Sequence, residues 1–372
     1  MAIALALCVS VGASACGGGS NSASTGGAIN PDLKIAISFL PGGANASYVF
    51  EFGDWGPIEQ ELGYPASRLA SGGGIAALGK EIDGLAGGVS PGGNTTFDLE
   101  PAGVGDVWSI ADVRWDAMES SIGAGAGAPL AITAFRSGSV IPHVEQHLAR
   151  CGFRSRSVEG MTLYSGAALK CVTPIGTGIP AQYNDYAFDT ADRLVLQSAS
   201  ANTVIAAIAN RHHGGSEPVL RAVLNSLGSD TQQLAVATGP QFCGELSSPA
   251  ALAGRFGSSS PRTVLRAKRL FSDATRYLGF GFGYRYTSGA INGTLAFVYP
   301  SEAVARSDLS PRERMLRNGI DFSIGEPYSK LFLVRSGRTQ GAAAIYQLEQ
   351  PGNTAIRLGQ AFENFDIGFA RC

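Results

Sequence analysis

His143 and His147 stand four residues apart in this chain of 372 residues. On a helix that spacing turns both imidazoles toward one point, as a metal ion requires. Glu145 lies about 200° round the same helix from His143 and cannot join them. His212 and His213 could supply a third ligand only if the fold brings them close. A histidine pair with no carboxylate beside it is not specific for metal. The expectation is a polar flank beside a Val144/Leu148 stripe, with no bound metal and no cofactor.

Other catalytic patterns fail at a residue their chemistry needs. Gly74-x-x-x-x-Gly79-Lys80 has the outline of a phosphate-binding loop, but Glu81 stands where a Ser or Thr must hold magnesium, and a carboxylate there repels phosphate. Gly88-Val89-Ser90-Pro91-Gly92 has the outline of a nucleophile elbow. Pro91 follows the serine and has no N–H to offer an oxyanion. No S-x-x-K occurs. These failures lean the reading away from an enzyme.

Ligand binding has one candidate, "YLGFGFGYRY". Phe280, Phe282, Tyr284 and Tyr286 fall on one face of a strand, and Gly279, Gly281 and Gly283 on the other. Such a face can stack on sugars or hold a lipid. It can also be core, with the glycines admitting a neighbouring segment closely. Trp55, Trp108 and Trp115 read as packing residues.

The elements behind these residues suggest an α+β fold with mixed or antiparallel sheets, helices on one face, and a β-rich last third. Strands are expected over 33–40, 46–52, 129–135, 193–199 and 232–239. Helices are expected after Asp54, at 110–121, from Ser139 to Gly152, from 201 to His213, and after Ser216. "MTLYSG" and "ALKCVT" suggest a hairpin. From Thr263 onward strands dominate, interrupted by a helix that Ser310-Pro311-Arg312-Glu313 would begin as a capping box and Asn318-Gly319 would end. A boundary near 256–262 divides an α+β domain (31–255) from the β-rich region (256–372).

The net charge of −2 and the lack of a basic block exclude a nucleic-acid footprint. Hydrophobic residues make up 45% and charged ones 16%, ample material for a core. Asn45, Asn94 and Asn292 begin N-x-S/T triplets, which matter only where secreted proteins are glycosylated.

Residues 2–12, "AIALALCVSVG", are apolar and uncharged. They are too short to span a bilayer, which takes about 20 residues, and suit a secretory signal. Ala13-Ser14-Ala15 supplies small side chains for cleavage. Cys16 follows, and then a Gly/Ser/Asn tract to Gly27 that cannot bury enough surface to order itself. Small residues, a cysteine and a Gly/Ser tether resemble a bacterial lipoprotein of the cell envelope, in composition an actinobacterial one. The resemblance implies a signal peptide over 1–15, an acylated Cys16, a tether over 16–30 and a membrane partner through the lipid. Ala13 stands where that family prefers Leu or Val, and no positive segment precedes the apolar stretch. Ala13-Ser14-Ala15 equally suits plain cleavage, which would release a soluble protein.

Beyond Cys8 and Cys16 there remain Cys151, Cys171, Cys243 and Cys372. An even set in an exported chain reads as two disulfides. Three pairings are possible, and Cys151–Cys171 with Cys243–Cys372 is favoured because a turn and a strand between the first two can return to the helix end. Closing a loop of about 20 residues contributes roughly 3 kcal/mol. The leading expectation is an exported, non-catalytic binding or scaffolding domain whose protein or glycan partner is not legible. The alternatives are an exported hydrolase using His143 and His147, and a carrier of a lipid or other apolar ligand.

Overall fold

Alternation decides the architecture. A computed structural model describes residues 29–40, 48–69, 74, 77–78, 108, 110–121, 127–166, 184–211, 214–239, 275–287, 290–319 and 327–350. Twelve strands among them form one antiparallel sheet. They are β1 (Tyr48–Asp54), β2 (Val113–Ser121), β3 (Leu130–Phe135), β4 (Arg154–Val158), β5 (Met161–Ser165), β6 (Asp185–Asp189), β7 (Leu194–Ser198), β8 (Gln233–Thr238), β9 (Gly279–Thr287), β10 (Ala290–Val298), β11 (Leu333–Gln340) and β12 (Ala343–Glu349). Their order is β11-β12-β10-β9-β8-β1-β2-β3-β7-β6-β5-β4. β8 pairs with β9 from Gln233↔Tyr284 to Thr238↔Gly279. The stretches before and after the expected 256–262 boundary therefore share one sheet, while that segment itself lies outside the described residues.

Along the inner strands successive side chains enter two separate apolar clusters. One holds Phe280, Phe282, Tyr284 and Tyr286 with α2 (Trp55–Glu61), α4 (Val140–Cys151) and α7 (Glu302–Asn318). The other holds α1 (Pro31–Ser38), α5 (Ala201–Asn210) and α6 (Pro218–Leu227). A short α3 (Ala66–Leu69) adds Leu69 to the first cluster. The α+β class and the strand-rich C-terminal region hold; helices on a single face do not. Every residue of β3, β6, β7 and β8 is buried, and strands buried on both sides need cover on both.

Other elements depart from expectation for local reasons. Residues 33–40 are no strand, because the Asn30 side chain accepts the Asp32 N–H and Pro31 opens a helix whose Leu33, Ala36 and Ile37 are buried. Residues 113–121 are a central strand, not a helix. α7 begins at Ser301, whose hydroxyl accepts the Val304 N–H, so Ser310-Pro311 lies inside the helix rather than at its start. α6 is capped by Glu217, not Ser216; its carboxylate accepts from Val219 and Leu220. β5 makes its hairpin with β4, while "ALKCVT" lies outside the described residues.

The glycine face of β9 receives α6. A Cβ on Gly281 would stand 2.3 Å from Val223 Cγ1, and one on Gly279 2.6 Å from Val219 Cγ1. Gly281→Ala is therefore expected to destabilise by about 2 kcal/mol through overpacking. Val223→Ala combined with it should restore part of the loss. Urea unfolding of both single variants and the double checks this, and strictly additive losses would remove the close-packing account.

Candidate functional site

Where β1 ends and α2 begins, the chain buries charge. Asp54 closes β1, and α2 follows at once with Trp55, Ile58 and Glu59 turned inward. Glu59 is 2% exposed. Its Oε2 takes a 2.5 Å ion pair from Arg136, just past β3, and its Oε1 is buried with no hydrogen-bond partner. The Arg136 backbone N–H donates to the Asp112 carbonyl, and Arg193 donates to the Arg136 carbonyl, so the main chain that carries the guanidinium is held on both sides. Asp54 accepts from the Asn30 amide at 2.9 Å, Trp55 Nε1 donates to the buried Asp116 at 3.0 Å, and Arg114 pairs with Asp32 at 2.9 Å.

Carboxylates outnumber the arginines here. Burial pushes the Glu59 carboxyl up to about 7, against the pull of Arg136 and with a further push from Asp54. Burial also raises Asp54, with Asn30 working against it. Glu59 can thus hold or release a proton near neutrality, with one oxygen uncommitted. None of these residues was singled out from sequence for such a role; Asp54 was read only as a helix cap. Glu59 and Arg136 are 77 residues apart, so no local motif joins them. The one available signal was a carboxylate on the apolar stripe of α2.

A second buried charge pair lies under α7. Asp308 and Arg312 are both 0% exposed, one helical turn apart, and joined at 2.7 Å. Asp308 also accepts the Thr275 N–H at 2.6 Å and the Tyr299 hydroxyl. Arg312 donates to the Thr275 carbonyl at 2.7 Å and lies over the Phe297 ring, 4.5 Å from its centroid. The cluster ties α7 to the chain leading into β9.

The residues singled out from sequence fall elsewhere. His143 is exposed, and its Nδ1 donates to the Ser139 carbonyl of its own helix at 2.7 Å. His147 is half-buried, with Nε2 unpartnered. His212 and His213 lie outside the described residues. Among the described residues no group of three His, Cys, Asp or Glu side chains is placed to hold a metal. Phe280, Phe282, Tyr284 and Tyr286 are all buried to within 1% and stack edge-on along the core, Phe282 and Tyr284 at 4.4 Å between centroids. Trp55, Trp108 and Trp115 are likewise core. Cys151 is buried in the last turn of α4. Cys8, Cys16, Cys171, Cys243 and Cys372 lie outside the described residues, as do Gly79 to Glu81 and 88–92. No helix among the described residues is long and apolar enough to cross a membrane.

No family model matches the chain, and no curated protein matches it. Among solved structures, crystal form I of TP0453 superposes with a TM-score of 0.39 at 10% identity, covering 88% of this chain and 96% of that one. Crystal form IV of TP0453 gives 0.41 at 8% identity, covering 88% and 95%. These values are too low to assign a shared fold.

Proposed function

We propose that this protein is an exported cell-envelope lipoprotein, held to the membrane through an acylated Cys16 and presenting a non-catalytic binding or scaffolding domain. The observation that carries the reading is the run Ala13-Ser14-Ala15-Cys16 followed by a Gly/Ser/Asn tract to Gly27. The even set Cys151, Cys171, Cys243 and Cys372 fits an oxidising compartment in which two disulfides form. Binding through the outer surface fits an interior where the β9 aromatics are packed core and the His143 imidazole is engaged by its own helix.

The intact mass of the protein purified from its own envelope tests this. A chain beginning at Cys16, heavier by acyl groups and lighter by about 2 Da for each disulfide, is the expected result. A polypeptide retaining Met1 with all thiols reduced overturns the export reading. A chain starting at Cys16 with no acyl mass overturns the anchor.

A further inference from the structure

The sheet has two terminal strands, and they are built differently. β11 is blunted. Its register shifts between Val334 and Ser336, Arg335 is paired with Glu349, and α7 packs against it. A bulge and paired charge on an edge discourage further strand pairing. Among the described residues β4, at the other end, shows neither a register shift nor a paired charge nor a helix packed along it. It pairs with β5 from Arg154↔Ser165 to Val158↔Met161 without a register shift, and its first four residues are exposed.

The turn fixes which backbone groups of β4 face outward. Glu159 and Gly160 have φ of 46° and 86°, the two left-handed positions of a type I′ hairpin turn. In such a hairpin the pair closing the turn exchanges both hydrogen bonds, and pairs then alternate. Val158, Arg156 and Arg154 therefore bond to β5. The N–H and C=O groups of Ser155 and Ser157 point away from the sheet. Arg154 and Arg156 project from one face of this edge, about 7 Å apart, and neither has an ion-pair partner among the described residues.

We propose that β4 is a docking edge that accepts an acidic, extended polypeptide segment as an additional antiparallel or parallel strand. Backbone groups of Ser155 and Ser157 supply the pairing, and Arg154 and Arg156 select carboxylates two residues apart in the partner. Other charges near the edge refine the choice. Glu159 in the turn disfavours an acidic residue opposite it, and Arg150 on α4 is turned to Gln146. A second copy of this chain meeting edge to edge would place β4 arginines against one another or against Arg335 and Arg338, which opposes self-association. The inference deepens the binding reading above and does not depend on the N-terminal anchor.

The test uses the full chain and a fluorescein-labelled peptide, Thr-Glu-Val-Glu-Val-Thr-Val-Thr, with its Lys-for-Glu counterpart as control, followed by anisotropy at low and physiological salt. The acidic peptide should bind, and the Lys counterpart should bind at least about tenfold more weakly. Arg154→Gln with Arg156→Gln should weaken the acidic peptide about tenfold and flatten its salt dependence. Ser157→Pro removes one outward N–H and keeps both arginines; proline is tolerated where an edge N–H faces solvent. It should leave the circular dichroism spectrum unchanged and weaken binding by a similar factor. Binding that ignores Ser157→Pro is electrostatic attraction alone and overturns the strand-addition proposal. So do equal binding of both peptides, and binding only to phosphatidylglycerol vesicles. A bound acidic peptide on a chain whose Met1 is retained would leave this inference standing while removing the export reading.

Discussion

Arg312→Ala is expected to be among the most damaging single substitutions in the chain, costing about 3–5 kcal/mol in urea unfolding. Arg312 and Asp308 are both fully buried. Removing the guanidinium leaves the Asp308 carboxylate with only the Thr275 N–H and the Tyr299 hydroxyl. It also empties the space over the Phe297 ring. Asp308→Ala should cost a similar amount, since it leaves the buried guanidinium beside Tyr277 and Phe297 without its carboxylate. Arg312→Lys should not rescue, because an ammonium cannot bond Asp308 and the Thr275 carbonyl while stacking on a ring. The double variant Asp308→Leu/Arg312→Met replaces both charges by apolar volume. It should be less destabilised than the sum of the single alanine losses by at least about 2 kcal/mol, although Thr275 and Tyr299 still lose partners. Additive losses, or single losses under about 1 kcal/mol, would show that this cluster does not hold α7 to the start of β9.

That cluster also shows what a one-dimensional reading misses. The inward residues of α7 are Ala305, Asp308, Arg312, Met315 and Leu316. The apolar stripe passes straight through a charged pair, so hydropathy alone makes the middle of the helix look solvent-facing. With Ser310-Pro311 in view, the start was placed too late. β2 disguised itself in a related way. Asp116 and Glu119 are buried in it, and polar residues at buried positions broke the two-residue alternation and left Ile110 and Val113 at a helical spacing. Residues 33–40 are an apolar run of a length that suits either element. The cap at Asn30-Pro31 decided it. Where the pattern was clean the sequence reading held: the buried runs of β3 and β8, the Val144/Leu148/Cys151 stripe of α4 closed by left-handed Gly152, and the alternation of β9. The candidate site was legible only in pieces. Glu59 and Arg136 come together because β1, β2 and β3 are neighbours in the sheet, and neighbourhood in a sheet is not written in local spacing.

The Glu59 site makes the fold sensitive to pH in an unusual direction. Most paired carboxylates are more acidic in the folded protein than in the unfolded chain, and stability then falls as acid is added. Glu59 is the reverse: burial raises it from the ordinary 4.5 to about 7. Below about pH 4.5 the group is protonated in both states and costs nothing. As pH rises through 7 the unfolded chain has already ionised, while the folded protein must either keep its proton or bury a charge. The stabilisation present in acid is therefore lost between about pH 5 and 7.5. At about 1.36 kcal/mol per unit, the difference between 4.5 and 7 amounts to at most about 3 kcal/mol. Asp54, raised in the same direction, steepens the fall. Glu59→Gln keeps the shape and can still accept a hydrogen bond from Arg136, but it has no proton to lose. The variant should match the parent near pH 5, exceed it in stability near pH 8, and show a flatter profile between them. Urea midpoints at four pH values from about 5 to 8 check this. If Arg136 outweighs burial, the parent will instead gain stability as pH rises and Glu59→Gln will be the weaker protein near pH 8, so the sign of the slope alone decides which force governs this carboxyl.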